Sequence, residues 1–165
     1  MLEQAVPLPK AGDWAKEKFK GKTGSLREFP NAWEGIFPDE EIIESLVGYA
    51  AGLSFVDEET GRILKTLEET GQLENPLILY TSDHGNMMGD HQMWRKTRPY
   101  EASVHVPMII RWPESMKIQA KRGRNASELV EMRDIFPAFA AASGISIPVR
   151  IDGRNMLKAL QDGTR

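Results

Sequence analysis

The chain of 165 residues contains no cysteine. Without a thiol it cannot form a disulfide, a thiolate zinc site or a cysteine nucleophile. It also lacks an excess of charge, because 21 basic residues oppose 24 acidic ones and the net charge is −3. This balance predicts no binding to nucleic acid or to an anionic membrane surface. No apolar run approaches the roughly 20 residues that a transmembrane helix requires, so we expect no membrane span.

The first residues of the chain lack the basic and then apolar pattern of a signal peptide, so the sequence does not record export. The location of the protein stays open, with a periplasmic or exported parent protein among the alternatives. Proline and glycine are frequent in residues 1–38, and no period is sustained there. We expect an irregular segment over 1–38.

A long helix is predicted from Pro38-Asp39-Glu40-Glu41 onwards, because proline and acidic residues suit a first helical turn. Gly71 is the expected C-cap. An apolar stripe follows the helical period and predicts packing against a sheet, with a coiled coil as the alternative. Its members are Ile42, Leu46, Tyr49, Leu53, Val56, Ile63 and Leu67.

Two short apolar runs, 77–82 and 106–112, predict strands that are buried on both faces. A helix is predicted over 127–142, with Asn125 or Ser127 as its N-cap and Gly144 at its end. Residues 152–160 predict a last short helix. This order of elements predicts an α/β fold with a largely parallel sheet.

The polar residues that could carry chemistry are concentrated in 81–107, which contain all three histidines. Asp83 and His84 directly follow the first strand, where ligands bind in open α/β sheets. A carboxylate oxygen and an imidazole nitrogen can together hold a divalent cation. The alternative is that Asp83 caps a turn and His84 fills space.

Further along the loop, Lys96 could return to Asp83 and His84 and bind an anion as a compact point charge, or it could be a solvated surface lysine. Gly89-Asp90-His91 could form a second metal pair or a hydrogen-bonded turn. The apolar residues Met87, Met88, Met93 and Trp94 are expected to pack the loop down.

The residues of this loop resemble a known family. The matching motifs are Thr81-Ser82-Asp83-His84-Gly85, Gly89-Asp90-His91, Lys96, Tyr100-Glu101, Ser103 and Val106-Pro107. They resemble the second half of the catalytic domain of sulfatases, in the alkaline-phosphatase-like superfamily that also includes phosphonate monoester hydrolases. The resemblance extends over roughly residues 40–160 in the order and spacing of the family.

The resemblance implies part of an alkaline-phosphatase-like three-layer α/β fold, with residues 39–165 as a C-terminal portion of the catalytic domain. It implies metal-dependent hydrolysis of a sulfate ester, on a small molecule or a sulfated glycan. Asp83 and His84 would be metal ligands and Lys96 a catalytic, sulfate-binding lysine. The implied cation is Ca²⁺, with Mn²⁺ or Mg²⁺ as alternatives, and the family's nucleophile is a formylglycine. His84, where many sulfatases have asparagine, leans toward the phosphonate and phosphodiester hydrolases.

The family's nucleophile motif, C/S-x-P-x-R, has no counterpart before His84. Ser146-Ile147-Pro148-Val149-Arg150 fits it literally but follows the Asp-His pair, so we interpret it as a chance match. We therefore expect a fragment of a sulfatase-type hydrolase that is inactive alone. The alternatives are a phosphonate or phosphate ester hydrolase of the same superfamily, and a non-catalytic α/β module or half of a split enzyme. An incomplete sheet also predicts a homo-oligomer formed through its exposed edge.

Overall fold

The computed structural model describes residues 35–96 and 98–158. Most of the predicted irregular segment 1–38 lies outside these residues. The described chain divides into two compact units, one of residues 35–66 and 81–107 and one of residues 67–80 and 108–158. The helices and strands are, in chain order, α1 (Asp39–Glu69), β1 (Ile78–Thr81), α2 (Glu101–Val104), β2 (Met108–Arg111) and α3 (Ile135–Ala142). Short 3₁₀ helices lie at Asp90–Gln92, Glu114–Met116 and Met132–Asp134.

Helix α1 begins and ends where the sequence predicts. The amides of Glu41 and Ile42 donate to the carbonyl of Pro38, at 3.1 and 3.2 Å, and three acidic residues occupy the first turn. At the other end Gly71 adopts a left-handed φ of 68°, and its amide donates to Glu68 at 2.9 Å. Left-handed glycine after the last turn is the usual way to satisfy the terminal carbonyls. In the described part of the chain, no helix is both long and apolar enough to cross a membrane.

The middle of the α1 stripe is exposed among the described residues, and its predicted packing against a sheet stays a prediction. Ile42 is the one buried residue of α1. Tyr49, Leu53, Val56 and Ile63 are 45%, 50%, 46% and 64% exposed. A periodic apolar stripe shows that one face of a helix can pack against another element. The residues of that stripe are buried only where such an element covers them.

The first unit has two small apolar clusters. In one, the buried residues Met87 and Met93 pack with Ile36, Tyr100 and Ala102. In the other, Phe37, Ile42 and Trp94 are buried, with Leu46 and Met88 against them. The rings of Phe37 and Trp94 meet edge to face at 6.1 Å. The predicted packing of the loop by its methionines and Trp94 is confirmed.

The second unit contains the strand pair β1–β2, and both predicted strands are confirmed. Their predicted burial on both faces is wrong. One face of the pair contributes Leu79, Met108 and Ile110 to a core around Ala138, Met156 and Leu157. On the other face Tyr80 is 37% exposed and Ile109 is 63% exposed. Successive strand residues point to opposite faces, so a single covering layer buries alternate positions.

The helix predicted over 127–142 begins later than expected. A 3₁₀ turn at Met132–Asp134 precedes α3, and neither Asn125 nor Ser127 caps it. Glu131 and Asp134 form a reciprocal capping box, in which each side chain accepts the other residue's backbone amide. Gly144, with φ of 68°, ends the helix as predicted. Of the predicted helix 152–160, residues 156–158 are helical, and residues 159 and 160 lie outside the described part of the chain.

Candidate active site

The four residues Ser82-Asp83-His84-Gly85 leave the end of β1 and turn into the loop of the first unit. The hydroxyl of Ser82 donates to the carbonyl of His84 at 2.7 Å. The amide of His84 donates to Oδ1 of Asp83 at 3.0 Å. The Asp83 side chain is 81% exposed and the His84 side chain is 37% exposed. Both predicted metal ligands are therefore open to solvent at the end of a strand.

Gly85 allows this segment to lie close to α2. Its amide donates to the carbonyl of Ser103 at 2.8 Å. A Cβ atom at position 85 would lie 2.1 Å from the carbonyl oxygen of Ala102. Glycine is therefore required at position 85, because two backbone segments approach each other closely there.

The ring of His84 is held in one tautomer. Nδ1 lies 2.8 Å from the carbonyl oxygen of Gly85, and a carbonyl only accepts, so Nδ1 carries the proton and donates it. Nε2 is then the ring nitrogen that can accept a hydrogen bond. The Nζ atom of Lys96 donates to Nε2. Oδ2 of Asp83 lies 3.3 Å from the same nitrogen.

These contacts bring the three predicted site residues together. The lone pair of His84 Nε2 and the carboxylate of Asp83 repel each other, so a nearby positive charge is favourable. The Lys96 ammonium, which faces the Nε2 lone pair, supplies that charge. A carboxylate oxygen and a neutral imidazole nitrogen are also ligands for a divalent cation. Ca²⁺ takes six to eight ligands and these residues supply two, so metal binding by Asp83 and His84 stays a prediction. In the described chain, no group of three or more acidic or histidine side chains is arranged to hold a metal ion.

Lys96 reaches His84 through a strained loop. Four non-glycine residues of the loop have positive φ: Met88 at 46°, His91 at 56°, Gln92 at 59° and Arg95 at 64°. Such conformations cost on the order of 1–3 kcal/mol each and persist where the surrounding contacts fix them. Oδ1 of Asn86 accepts from the amides of Met88 and Arg95, at 3.2 and 3.0 Å. Sequence reasoning missed Asn86, although an asparagine directly after a glycine is a typical turn-forming residue.

The other candidates have structural roles in the described chain. Gly89-Asp90-His91 forms a hydrogen-bonded turn, in which Gln92 donates to Gly89 at 3.0 Å. The ring of His91 stacks on Tyr100, with centroids 4.4 Å apart. Glu101 accepts from Nδ1 of His105 at 2.9 Å on the surface.

The S-x-P-x-R sequence lies in the second unit. Residues 145–150 form a loop in which Ser146, Pro148, Val149 and Arg150 are exposed. This segment opens no helix and buries no serine.

Comparison with known proteins identifies the family. The sulfatase family model matches residues 9–145. An arylsulfatase of Clostridium perfringens is 33% identical over 160 residues, which cover 97% of this chain and 32% of that protein. Arylsulfatase K of Bos taurus is 34% identical over 153 residues, covering 93% of this chain and 27% of that protein. The chain thus spans about a third or less of the length of these relatives.

Solved structures agree with the family match. The phosphonate monoester hydrolase of Silicibacter pomeroyi superposes with a TM-score of 0.77 at 31% identity, over 96% of this chain and 32% of that chain. A protein in complex with its substrate D-glucosamine-2-N,6-O-disulfate superposes with a TM-score of 0.59 at 36% identity, over 65% of this chain and 21% of that chain. The chain therefore belongs to the sulfatase family of hydrolases and forms part of an alkaline-phosphatase-like α/β fold.

Proposed function

We propose that this chain supplies the metal-binding and sulfate-binding residues of a site that hydrolyses sulfate esters. The observation that carries the proposal is the arrangement around His84. Its Nε2 lone pair, fixed by the Nδ1–H bond to Gly85, faces Lys96 Nζ and lies 3.3 Å from the Asp83 carboxylate. A fixed lone pair, an exposed carboxylate and an ammonium group are the parts needed to hold a cation beside an anion.

Asp83 and His84 would hold the divalent cation, which we propose to be Ca²⁺, with Mn²⁺ or Mg²⁺ as alternatives. A cation bound there supplies Lewis-acid neutralisation of charge on the sulfate oxygens. The Gly85 carbonyl orients the imidazole by accepting from Nδ1, which is the usual second contact of a metal-binding histidine. The close packing of Gly85 on Ala102 keeps that carbonyl in place.

Lys96 would bind the sulfate group. Its ammonium has three donors and no acceptor, so it can donate to a sulfate oxygen. In the structure one of these donors is directed at His84 Nε2. When the lone pair of Nε2 is engaged by a cation, we propose that the Lys96 ammonium turns to the anion instead.

We propose that the isolated chain binds but does not turn over its substrate. It has no cysteine to become formylglycine, and its S-x-P-x-R serine lies in an exposed loop. The groups around His84 therefore have no nucleophile in this chain to orient. Turnover of an aryl sulfate by the purified chain, abolished by Asp83→Ala, would contradict this part of the proposal.

The binding part is tested by titrating the purified chain with inorganic sulfate in the presence of Ca²⁺. We expect the His84 ring and Lys96 side-chain signals to shift in NMR spectra, and Lys96→Met to weaken binding at least about tenfold, as loss of one charge-assisted hydrogen bond predicts. Lys117→Met is the matched control, because Lys117 is an exposed lysine of the second unit. Equal affinities of the parent chain and Lys96→Met, or no binding at all, would favour a non-catalytic module.

A phosphonate or phosphate ester substrate is the second candidate. Two phosphonate monoester hydrolases superpose with TM-scores of 0.77 and 0.76 over 96% and 99% of this chain. The same titration with methylphosphonate separates the candidates. Tighter binding of sulfate supports the sulfatase proposal, and tighter binding of methylphosphonate supports the second candidate.

The proposed substrate class is a sulfate ester of a small molecule or of a glycan. One relative, 35% identical over 114 residues, is an N-acetylglucosamine-6-O-sulfatase of Bacteroides thetaiotaomicron. Together with the structure bound to a glucosamine disulfate, it supports a sulfated sugar. Glucosamine 6-O-sulfate is therefore the first ester to compare with inorganic sulfate in the titration.

A further inference from the structure

We propose that Asn86 is a positioning residue of this site, which sets Lys96 against His84 by fixing the backbone of Arg95. The inference rests on the proposed role of Lys96 in binding sulfate. Asn86 contacts neither partner of the Lys96–His84 hydrogen bond in the contacts described above. Its effect is exerted through the loop that carries Lys96.

The side-chain oxygen of Asn86 joins the two ends of this loop. Oδ1 accepts from the Met88 amide at 3.2 Å and from the Arg95 amide at 3.0 Å. The second hydrogen bond spans nine positions and holds the residue directly before Lys96. The neighbouring amide of Met87 donates to the carbonyl of Arg95 at 2.7 Å. Both backbone polar groups of Arg95 are therefore fixed by residues 86 and 87.

Fixing Arg95 matters because its conformation is unfavourable. Arg95 has a φ of 64°, a left-handed conformation that a residue with a Cβ atom rarely adopts. Met88, whose amide Asn86 also holds, has a φ of 46°. Left-handed residues persist only where surrounding contacts determine them. Without the Asn86 oxygen, we expect Arg95 to relax toward negative φ and to redirect the chain at Lys96.

The rest of the loop has its own support. Met87 and Met93 are 1% and 3% exposed in an apolar cluster with Ile36, Tyr100 and Ala102. The Gly89 amide donates to Met93 at 2.8 Å inside the loop. Loss of Asn86 should therefore loosen the end of the loop at Arg95 and Lys96 while the apolar cluster stays packed. A purely structural role would instead loosen the whole loop.

The test uses the full chain with Asn86→Ala and measures three quantities. These are the hydrogen-exchange rate of the Arg95 amide, the NMR contact between the Lys96 side chain and the His84 ring, and the Kd for inorganic sulfate. We expect exchange at Arg95 to rise at least about tenfold, the Lys96–His84 contact to weaken and the Kd to rise about five- to tenfold, since one half-buried acceptor is lost. Asn86→Asp keeps the acceptor oxygen and should retain exchange protection at Arg95. Asn75→Ala, in an exposed turn of the second unit, is the matched control and should leave all three unchanged.

A second substitution at Arg95 separates the positioning of Lys96 by Asn86 from a general effect of Asn86 on stability. Glycine adopts positive φ at little cost, so Arg95→Gly should lessen the need for Asn86. We expect Asn86→Ala to raise the Kd for sulfate less in the Arg95→Gly background than in the parent chain. Asn86→Ser, whose shorter side chain cannot span to Arg95, serves if Asn86→Ala does not fold. An unchanged Lys96–His84 contact in Asn86→Ser would then overturn the inference.

The outcomes distinguish this inference from the proposed function. If the parent chain fails to bind sulfate while Asn86→Ala still loosens the Lys96–His84 contact, the sulfate-binding role of Lys96 is wrong and the positioning role stands. If the parent chain binds sulfate and Asn86→Ala changes neither the contact nor the Kd, the positioning role is wrong.

Discussion

The backbone of Gly85 lies so close to Ala102 that the two residues exclude any side chain between them. A Cβ atom at position 85 would be 2.1 Å from the carbonyl oxygen of Ala102 and 3.2 Å from the carbonyl carbon of Ser103. Ser103 is itself buried, at 3% exposure, and its carbonyl accepts from the Gly85 amide. The contact therefore holds the segment that carries His84 against helix α2 within the first unit.

We predict that Gly85→Ala destabilises the chain by about 1–3 kcal/mol or more, because one backbone segment must move to admit the methyl group. The free energy of unfolding in urea, followed by circular dichroism, measures the change. Gly52→Ala is the matched control, since no described atom lies within 4 Å of a Cβ added there. In the exposed interior of α1 the same substitution should stabilise by about 0.5–1 kcal/mol. Equal stability of Gly85→Ala and the parent chain would contradict the close contact.

We predict that Asp134→Ala destabilises the second unit by about 1–2 kcal/mol, as loss of a helix cap does. Oδ2 of Asp134 accepts from the Glu131 amide at 3.0 Å, and Oδ1 accepts from the Arg154 amide at 2.7 Å. Asp134→Asn keeps one acceptor oxygen, so it should cost about half as much. Thermal unfolding of the three chains measures the order. The prediction fails if Asp134→Asn is as unstable as Asp134→Ala.

We predict that the chain binds Ca²⁺ with a Kd of about 1 mM or weaker, because it offers two ligands where calcium prefers six to eight. Asp83→Asn should remove the remaining affinity. Isothermal titration of the parent chain, Asp83→Asn and the control Asp57→Asn, an exposed residue of α1, measures the effect. Micromolar binding that survives Asp83→Asn would place the ion elsewhere.

We predict that the chain associates through the β1–β2 pair at high concentration, since unpaired strand edges present open backbone groups. Ile109, at 63% exposure on β2, is the site to alter. Ile109→Lys should reduce the weight-average mass measured by light scattering, because an added lysine opposes edge pairing. Leu129→Lys is the control, at 77% exposure outside the strands. A monomer at all concentrations would contradict the prediction.

Local signals in the sequence predicted the ends of elements well. Proline with acidic residues at 38–41 and glycine at 71 and 144 act on their own turns, so their effect does not depend on distant parts of the chain. The start of α3 was not predicted, because the capping box is formed by Glu131 and Asp134 and not by Asn125 or Ser127. Burial was predicted least well. Tyr49 and Ile109 have the pattern of buried residues, yet what covers them depends on layers that periodicity does not specify.

In the candidate site, too, local signals are readable from the sequence, whereas contacts that depend on the folded backbone are not. The position after a recognisable strand predicts Asp83 and His84 as ligands, and the resemblance to sulfatases implies the role of Lys96. These roles stay predictions, whereas the structure shows that the three residues lie close together. The tautomer of His84 depends on a carbonyl 2.8 Å away, which no composition or spacing reports. The role of Asn86 depends on a hydrogen bond across nine positions and on the left-handed conformation of Arg95. Both are properties of the folded backbone.

The hydrogen bond from His84 Nδ1 to Gly85 has a consequence for proton transfer in the proposed ester hydrolysis. A ring nitrogen whose lone pair accepts from Lys96, or binds a cation, cannot carry a proton at the same time. His84 in this arrangement would have no hydrogen on Nε2 to deliver to the alkoxide or phenolate that leaves in the proposed hydrolysis. Protonation of that leaving group would then fall to an N–H of Lys96, to water or to a side chain other than His84.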